Sequence, residues 1–331
     1  MMQFRTELSI PESEWKINHS DQIFGMGSCF VDSIGEKLKR AKFTVLQNPF
    51  GTLFHPVAIE NALARIHSNI PYTESEIFNH SEQYFSWDHH TSFDKPSMRA
   101  TLEGINTQLE AANEYIQNTR VFILTFGTSW AYKIKQMDFL VANCHKVPGQ
   151  HFKKILLTDN QLKTAIRNCF QYISDINPRA KIIVTVSPVR HTKDGLVENN
   201  LSKSKLISNL HSVIQQFDNV GYFPAFEWMT DDLRDYRFYK EDLIHPNEMA
   251  IEYIWQKFSD CYFDAVTQEK IKQAEKVQTA LSHKPSNKGT IAYKTFLFNT
   301  QKYITEIEKG FPKNSFTKEK ETLKNLMKNA D

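Results

Sequence analysis

The sequence predicts an α/β fold in which helices cover both faces of a parallel sheet. Short β-rich runs alternate with amphipathic helical stretches along most of the 331-residue chain, and this alternation is typical of βαβ units. The runs near residues 120 and 181 are almost continuous Val, Ile, Leu and Phe, as expected for central parallel strands buried on both sides. A chain of this length can bury the large core that such a fold requires.

Five β-rich segments are assigned to the sheet in chain order. They are residues 21–27, 43–49, 120–127, 180–188 and 219–226. The segment after the first strand is predicted as a helix, because Val31, Ile34 and Leu38 recur at three- and four-residue spacing. Residues 57–68 and 102–117 are also helix-like. Between them the aromatic and histidine-rich segment YFSWDHHTSFDKPSM is predicted as an irregular loop that lies over a site.

The sequence changes character after about residue 262. From there it is rich in Lys and Glu at helical spacing, with breaks at 282–289 and 309–315. Charged runs of this kind are usually solvated helix faces, so no function is assigned to them. We therefore predict a main domain over residues 1–262 and a C-terminal helical extension over residues 263–331.

The composition argues against several classes of protein. The 40 basic residues are balanced by 38 acidic ones, so no nucleic-acid partner is expected. The sequence starts without a secretory-signal pattern and has no apolar run of the roughly 20 residues that span a bilayer. We therefore expect a cytoplasmic protein without a membrane span. The four cysteines are far apart and include no Cys-x-x-Cys pair, which indicates free thiols rather than a zinc knuckle or a disulfide framework.

Ser28 is the first candidate for chemistry, because it follows Gly25 and Gly27 at the turn between the first strand and the first helix. In parallel sheets, ligands bind at the carboxyl ends of the strands, where helix N-termini present free N–H groups. Glycines at this turn allow tight bending and close approach of a substrate to a nucleophile. Serine is also a frequent helix N-cap, and from this stretch alone N-capping is the commoner role.

A second cluster lies far downstream in the segment KEDLIHPNEMAIEYIWQKF, residues 240–258. Asp242 and His245 are three residues apart, and Pro246 suits the first position of the helix that follows. This spacing lets His245 point at another loop while Asp242 holds its ring through Nδ1–H. A serine hydroxyl needs such a base, because its own pKa leaves essentially no alkoxide at neutral pH. The alternative is a helix-start pair that makes only local hydrogen bonds.

The residues Gly-Ser-Cys-Phe at 27–30, followed by Val31, resemble the signature of the GSCFA-domain family of the wider SGNH (GDSL-like) esterase and lipase superfamily. The resemblance runs from about residue 21 to residue 258. Further similar stretches are NPFGTLFHP (48–56), LTFGTSWAY (124–132), NCHKVP (143–148), SPVRHTKDGLVENNLSKSKL (187–206) and DDLRDYRFYKEDLIHP (231–246). The resemblance implies a flavodoxin-like, three-layer α/β/α sandwich with its serine after the first strand.

The resemblance also implies roles for individual residues. The implied catalytic triad is Ser28 as nucleophile, His245 as general base and Asp242 as the residue that orients the base. The implied oxyanion hole uses the backbone N–H groups of Ser28 and Gly51. Where the superfamily has Gly-x-Asn after the third strand, this chain has FGTSW. A hydroxyl or backbone N–H of Thr128 or Ser129 must then replace the missing amide, whose loss can cost about 3 kcal/mol in the barrier.

Other residues are candidates for binding the substrate or for a different nucleophile. His90, His145 and Arg190 lie in the similar stretches and are candidate contacts to substrate oxygens. Trp130 is a candidate stacking surface for a sugar ring, although aromatic residues more often pack a core. Cys29, beside the serine, suggests a thiol mechanism, but its side chain is expected to be buried against the helix.

A metal-dependent hydrolase is the rival chemistry, because the chain has many possible ligands but no motif with established metal-ligand spacing. The possible ligands are His55, Asp88, His89, His90, His145, His151 and His191.

We predict a serine esterase that hydrolyses short-chain acyl esters, including O-acetyl groups on carbohydrate, without a cofactor or a metal. Its partner is then a small-molecule or glycan acyl ester. Because the expected Asn is missing, a second class stays open, namely a catalytically weak acyl-transfer or glycan-binding protein on the same fold.

Overall fold

The computed structural model describes residues 6–283 and 289–328 of the chain. The chain divides into two compact units. The first comprises Met1–Ile10, Ile23–Gly35 and Leu46–Gln256, and the second comprises Pro11–Gln22, Glu36–Val45 and Lys257–Asp331. The domain division at residue 262 stays a prediction. Among the described residues, no helix combines the length and the apolar character needed to cross a membrane.

The described residues form ten strands. In chain order these are β1 (Gln22–Gly27), β2 (Thr44–Gln47), β3 (Phe78–His80), β4 (Gln83–Phe85), β5 (Thr119–Phe126), β6 (Trp130–Ile134), β7 (Phe139–Val141), β8 (Phe152–Leu156), β9 (Lys181–Val186) and β10 (Val220–Tyr222). Five of them form one parallel sheet in the order β10-β9-β5-β1-β2. They are the five strands that the sequence predicts, and the predicted α/β fold class is confirmed.

Helices connect and cover these strands. The described helices are α1 (Cys29–Arg40), α2 (Pro56–Ser68), α3 (Met98–Ile116), α4 (Asp159–Ile176), α5 (Leu196–Ile214), α6 (Ala225–Glu227), α7 (Glu248–Tyr262), α8 (Ala265–Ser282), α9 (Ile291–Ile307) and α10 (Thr317–Lys328). In the first unit, α3, α2, α4 and α5 pack side by side in this order. Phe122 and Phe126 of β5 and Ile182 and Val186 of β9 are fully buried, which explains the continuous apolar runs of these strands.

A second, antiparallel sheet in the order β7-β6-β8 and the hairpin β3-β4 are absent from the sequence prediction. Their strands have only three to five residues, and all except β7 mix apolar with charged or polar side chains, so they give no strong strand signal. The segment predicted as an irregular loop contains the end of β4, and its side chains Phe85, Trp87 and His89 are buried. The loop prediction was therefore wrong for Tyr84 and Phe85, which belong to β4, whereas Trp87 and His89 lie in irregular backbone.

Helix α7 begins two residues later than the sequence suggests. Pro246 forms an isolated antiparallel bridge with Tyr239, so it does not occupy the first helical position. Asn247 caps the helix instead, because its Oδ1 accepts a hydrogen bond from the backbone N–H of Ala250 at 3.1 Å. The His245 side chain thus precedes the helix and sits in a turn.

The second unit has its own apolar core, built mainly from the three C-terminal helices. Its buried members are Ala274, Val277, Tyr293, Leu297, Ile304, Ile307, Phe311, Phe316 and Leu323. A nearly buried ion pair joins Lys42 to Glu319 within this unit. The predicted break at 282–289 falls partly on 284–288, outside the described residues, while the break at 309–315 separates α9 from α10.

Gly104→Ala is expected to stabilise the protein by about 0.5–1 kcal/mol, because Gly104 lies inside α3 and a Cβ there meets nothing within 4 Å. Thermal unfolding measures the change. Gly149→Ala is the matched control, since a Cβ at Gly149 is also unobstructed but the residue lies outside the α-helices. A smaller gain for Gly149→Ala assigns the effect to helix propensity, and a lower melting temperature for Gly104→Ala would contradict it.

Candidate active site

Ser28 lies between the end of β1 and the start of α1, at the carboxyl end of the parallel sheet. Gly27 has a φ of +137°, and a Cβ there would collide with the carbonyl oxygen of Thr125, so only glycine fits without strain. The Ser28 backbone N–H donates to that same carbonyl at 3.0 Å. The turn that positions Ser28 is therefore fixed against the neighbouring strand β5.

The Ser28 side chain is fully buried, and its Oγ has no hydrogen-bond partner among the described residues. Its hydroxyl therefore does not cap α1 in this structure, although Ser28 stands at the cap position. Buried hydroxyls are normally hydrogen-bonded, and an unpaired one calls for an explanation such as a catalytic role. Helix N-capping by the side chain, the commoner role of a serine at such a turn, is therefore not what the structure shows.

Asn48 is a residue of this turn that the sequence prediction does not single out. Its Oδ1 accepts a hydrogen bond from the N–H of Gly27 at 2.9 Å, and its Nδ2 donates to Oδ1 of Asp32 at 2.8 Å. Asn48 thus links the turn after β2 to both sides of Ser28. Its position in the family-like stretch NPFGTLFHP is the signal that could have identified it.

Asp242 and His245 form a preorganised pair in the turn before α7. His245 Nδ1 lies 2.7 Å from Oδ2 of Asp242, while Oδ1 of Asp242 accepts from the N–H groups of Ile244 and His245, both at 2.9 Å. Hydrogen bonds from the backbone and side chain of His245 lower the pKa of Asp242 to about 2. The carboxylate is therefore ionised at neutral pH, and the bond orients the ring with Nε2 available to other groups.

The structure does not bring His245 into hydrogen-bond contact with Ser28, because the Ser28 Oγ is unpartnered. The side chains of Asp242 and His245 are each 43% exposed, whereas Ser28 is fully buried. The turn that carries His245 is attached to the loop after β9 by a hydrogen bond of 3.3 Å from Arg190 N–H to the Ile244 carbonyl. The two groups of the predicted dyad are thus separately positioned rather than joined.

The predicted backbone donors of the oxyanion hole are engaged inside the protein. The Ser28 N–H bonds to Thr125, as described above, and the Gly51 N–H donates to the carbonyl of Asn48 at 2.7 Å. The Thr128 N–H donates to the carbonyl of Phe54 at 3.0 Å. An oxyanion at this place would have to compete with these bonds or replace them.

The hydroxyls of Thr128 and Ser129, the residues predicted to replace the missing Asn, are held by helix α5. The Thr128 and Ser202 hydroxyl oxygens are 3.0 Å apart, and the Ser129 hydroxyl donates to the Ser202 carbonyl at 2.9 Å. Ser129 is fully buried, while Thr128 lines a cavity. Of the two, Thr128 is the better placed to meet a ligand.

His90 and His145, two of the predicted substrate contacts, have different surroundings. The His145 ring is fully buried, is stacked on Phe85 and has Nδ1 at 2.9 Å from a carboxylate oxygen of Asp94. Burial lowers the pKa of His145. The Cβ of His90 lies against Gly51, in the space that a Cβ on Gly51 would need. His145 therefore packs within the protein, and His90 borders the loop after β2.

The other two predicted contacts, Arg190 and Trp130, each line a cavity. The Arg190 guanidinium stands over the Tyr239 ring, 4.0 Å from its centroid, beside a cavity of about 330 Å³. Trp130 lines a second cavity of about 250 Å³ together with Thr128 and His191.

The second cavity lies close to Ser28, with Gly127 between them. A Cβ built on Gly127 would be 3.4 Å from the Ser28 Cβ and 3.2 Å from Nε2 of His191. His191 is thus another imidazole near the serine, although by sequence it is only one of several possible metal ligands. Its place directly after the strand β9, in a family-like stretch, is the signal that could have separated it from the others.

The described residues give little support to the two alternative chemistries, a thiol nucleophile at Cys29 and a metal site. Cys29 is half-buried, and burial raises the pKa of its thiol, which disfavours the reactive thiolate. Across 6–283 and 289–328, no three His, Cys, Asp or Glu side chains are grouped so as to hold a metal ion.

Lys203 of α5 is the main residue of this region that sequence reasoning missed. Its side chain is buried, and its Nζ donates to the carbonyl oxygens of Gly127 and Ser187, both at 2.7 Å. A lysine three residues before Leu206, on the buried stripe of an amphipathic helix, is the signal in the sequence. Burial lowers the pKa of Lys203 to about 7.

The structure is thus a parallel α/β protein that carries a serine at the end of its first strand and an Asp–His pair in a later loop. The model of the GSCFA family matches residues 22–258, and the model of the GSCFA domain protein, C-terminal domain, matches residues 274–329. The chain belongs to the GSCFA family, which confirms the resemblance seen in its sequence.

Several solved structures are distantly similar to this chain. A carbohydrate esterase family 3 protein from Talaromyces cellulolyticus is 10% identical, with a TM-score of 0.37, over 77% of this chain and 99% of that one. An acetyl xylan esterase from Butyrivibrio proteoclasticus is 11% identical, with a TM-score of 0.38, over 73% of this chain and 63% of that one. No curated protein matches the chain in sequence.

Proposed function

We propose that this protein is a serine ester hydrolase in which Ser28 attacks the ester carbonyl and His245, held by Asp242, transfers the proton. The observation that carries the proposal is the Ser28 hydroxyl, which is fully buried at the carboxyl end of the sheet and has no partner among the described residues. Such an unpaired group costs free energy, and a catalytic role accounts for that cost. Membership in the GSCFA family supports the same assignment.

The proposed reaction has two balanced steps. In the first, the Ser28 proton passes to Nε2 of His245 as the Oγ–C bond forms, and the alcohol then leaves with that proton. In the second, water attacks the acyl group and His245 takes the water proton; the Oγ–C bond then breaks, and that proton passes from His245 to Ser28 Oγ as the acid is released. Proton transfer needs a separation of about 3 Å, so His245 and Ser28 must approach each other when the substrate binds.

We propose a short acyl group, such as acetyl on a carbohydrate, as the substrate class. The cavity of about 250 Å³ beside Gly127 is smaller than the roughly 300–1,000 Å³ that hold drug-sized ligands. It therefore suits a group as small as one sugar ring or a short chain. Trp130 supplies an aromatic ring in its wall, which supports a sugar as one neighbour of the ester.

Labelling by a serine-directed phosphonate tests the proposed function. We expect the reagent to block turnover of a panel of nitrophenyl esters, with the highest kcat/KM for acetyl and butyryl chains. Mass mapping should place the adduct on residue 28. An adduct on Cys29, or inhibition without any adduct on Ser28, would contradict the assignment of the nucleophile.

A catalytically weak acyl-transfer or glycan-binding protein is the second candidate. One observation favours it: the N–H groups of Ser28, Gly51 and Thr128, the predicted backbone donors of the oxyanion hole, all donate to protein carbonyls. Binding of acetylated sugars, measured by calorimetry without release of acetate, would support this candidate. Release of acetate at a rate that depends on Ser28 would support the esterase.

A further inference from the structure

Helix α5 contributes a buried lysine, Lys203, that is hydrogen-bonded to Gly127 beside the candidate site. The Lys203 ammonium bridges the carbonyl oxygens of Gly127 and Ser187, which follow the neighbouring strands β5 and β9. These strands are paired up to Phe126 and Val186. The charge therefore lies at the carboxyl ends of two central strands, where parallel α/β sheets bind their ligands.

The bonds of Lys203 fix the backbone next to the nucleophile. Gly127, whose carbonyl accepts from Lys203, is also the residue whose absent Cβ makes room for the Ser28 side chain at 3.4 Å. Ser202, the preceding residue of α5, holds the next two residues, since its Oγ contacts the Thr128 hydroxyl and accepts from the N–H of Ser129. Two neighbouring residues of one helix thus hold the segment where the superfamily's Asn is missing.

Burying the ammonium of Lys203 costs more free energy than a purely structural link between the two strands requires. Its side chain is 1% exposed, and no carboxylate forms an ion pair with it among the described residues. Its acceptors are neutral carbonyls, which leave most of the desolvation cost of an ammonium uncompensated. A neutral donor would link the two strands at lower cost. A lysine kept at this place, where it carries a charge only part of the time, therefore calls for a function.

The surroundings of Lys203 contain few groups that could set its protonation. On α1 the facing titratable group is the Cys29 thiol, which also interacts electrostatically with Asp32 and Lys240. The ring of Phe226 lies 5.6 Å from Nζ. Since burial lowers the pKa of Lys203 to about 7, the ammonium is present below neutral pH and is lost as the pH rises.

We propose that Lys203 is a positioning residue that fixes Gly127 beside Ser28 and whose positive charge favours the negative charge of the tetrahedral oxygen. This inference rests on the proposed ester hydrolysis and adds a pH control to the same site. Lys203 supplies electrostatic stabilisation in place of the missing amide donor. The site is then more active where Lys203 is still charged than where it is neutral.

The test is the pH profile of kcat and KM for nitrophenyl acetate in the full-length chain. We expect the wild-type kcat to fall about tenfold between pH 7 and about pH 9, with little change in KM. In Lys203→Arg, which stays charged, that fall should be absent. Lys203→Met should lower kcat by about 10²-fold at pH 6 and show no alkaline fall. Lys205→Met, which removes a partly buried lysine of the same helix that pairs with Asp159, should keep the wild-type profile.

The possible results separate the inference from the proposed function. Ser28-dependent turnover with the same alkaline fall in wild type and Lys203→Arg would overturn the role of Lys203 alone. A wild-type profile without any alkaline fall would do so too, and it needs no variant to fold. Absence of Ser28-dependent turnover at every pH would overturn both. Circular dichroism and melting temperature identify any variant whose fold is damaged.

Discussion

Ser28→Ala is expected to lower kcat for ester hydrolysis by about 10⁴-fold or more, while Cys29→Ala keeps most of the activity. The first change removes the atom that forms the acyl-enzyme, and losses of this size follow removal of a nucleophilic serine. The second removes a thiol whose pKa is raised by burial, so it supplies little thiolate at neutral pH. Initial rates with nitrophenyl acetate at pH 7 measure both.

The pair is well matched, because both changes fall at the start of α1 and each removes one heteroatom. Ser28→Ala breaks no side-chain hydrogen bond, since the Ser28 Oγ has no partner among the described residues. Its melting temperature should therefore stay close to that of the wild type, and lost activity cannot be ascribed to unfolding. Retained hydrolysis in Ser28→Ala together with loss in Cys29→Ala would move the nucleophile to the thiol.

The central sheet was predictable because its signal is local. Strands β5 and β9 are buried on both faces, so their central residues 121–124 and 182–184 are all apolar and the pattern is clear in the sequence. Strands β6 and β8 of the antiparallel sheet mix polar and apolar residues, as in β8 with Lys153 and Lys154. Strand β8 pairs with β6 through residues such as Phe152 and Ile134, which are well separated in sequence, and a local pattern does not contain that partner.

The candidate site was predictable only in part for the same reason. The bond between Asp242 and His245 spans three residues, and the sequence spacing was enough to expect it. The relation between Ser28 and His245 depends on loops more than two hundred residues apart, and no local rule fixes it. Lys203 was not predicted for a different reason, because a charged residue in a helix is normally assigned to the solvent face. Its position on the apolar stripe was the contrary signal.

Asp242→Asn is expected to lower kcat by about 10²–10⁴-fold without unfolding the protein. The Asn oxygen can still accept the two backbone bonds from Ile244 and His245, so the turn should be kept. The side-chain nitrogen then faces Nδ1 of His245 and must donate to it. This reverses the ring tautomer and places the proton on Nε2, where His245 can no longer accept the proton of Ser28.

Asp231→Asn is the control for this change, because Asp231 is an exposed carboxylate paired with Arg234 outside the His245 turn. It should hydrolyse nitrophenyl acetate at nearly the wild-type rate, while Asp242→Asn should not. If both variants are fully active, His245 is not the base. The base would then be another imidazole near the serine. Nε2 of His191 lies 3.2 Å from the position of a Cβ on Gly127, so His191→Gln is the first variant to test. Loss of activity in His191→Gln but not in His245→Gln would complete that reassignment.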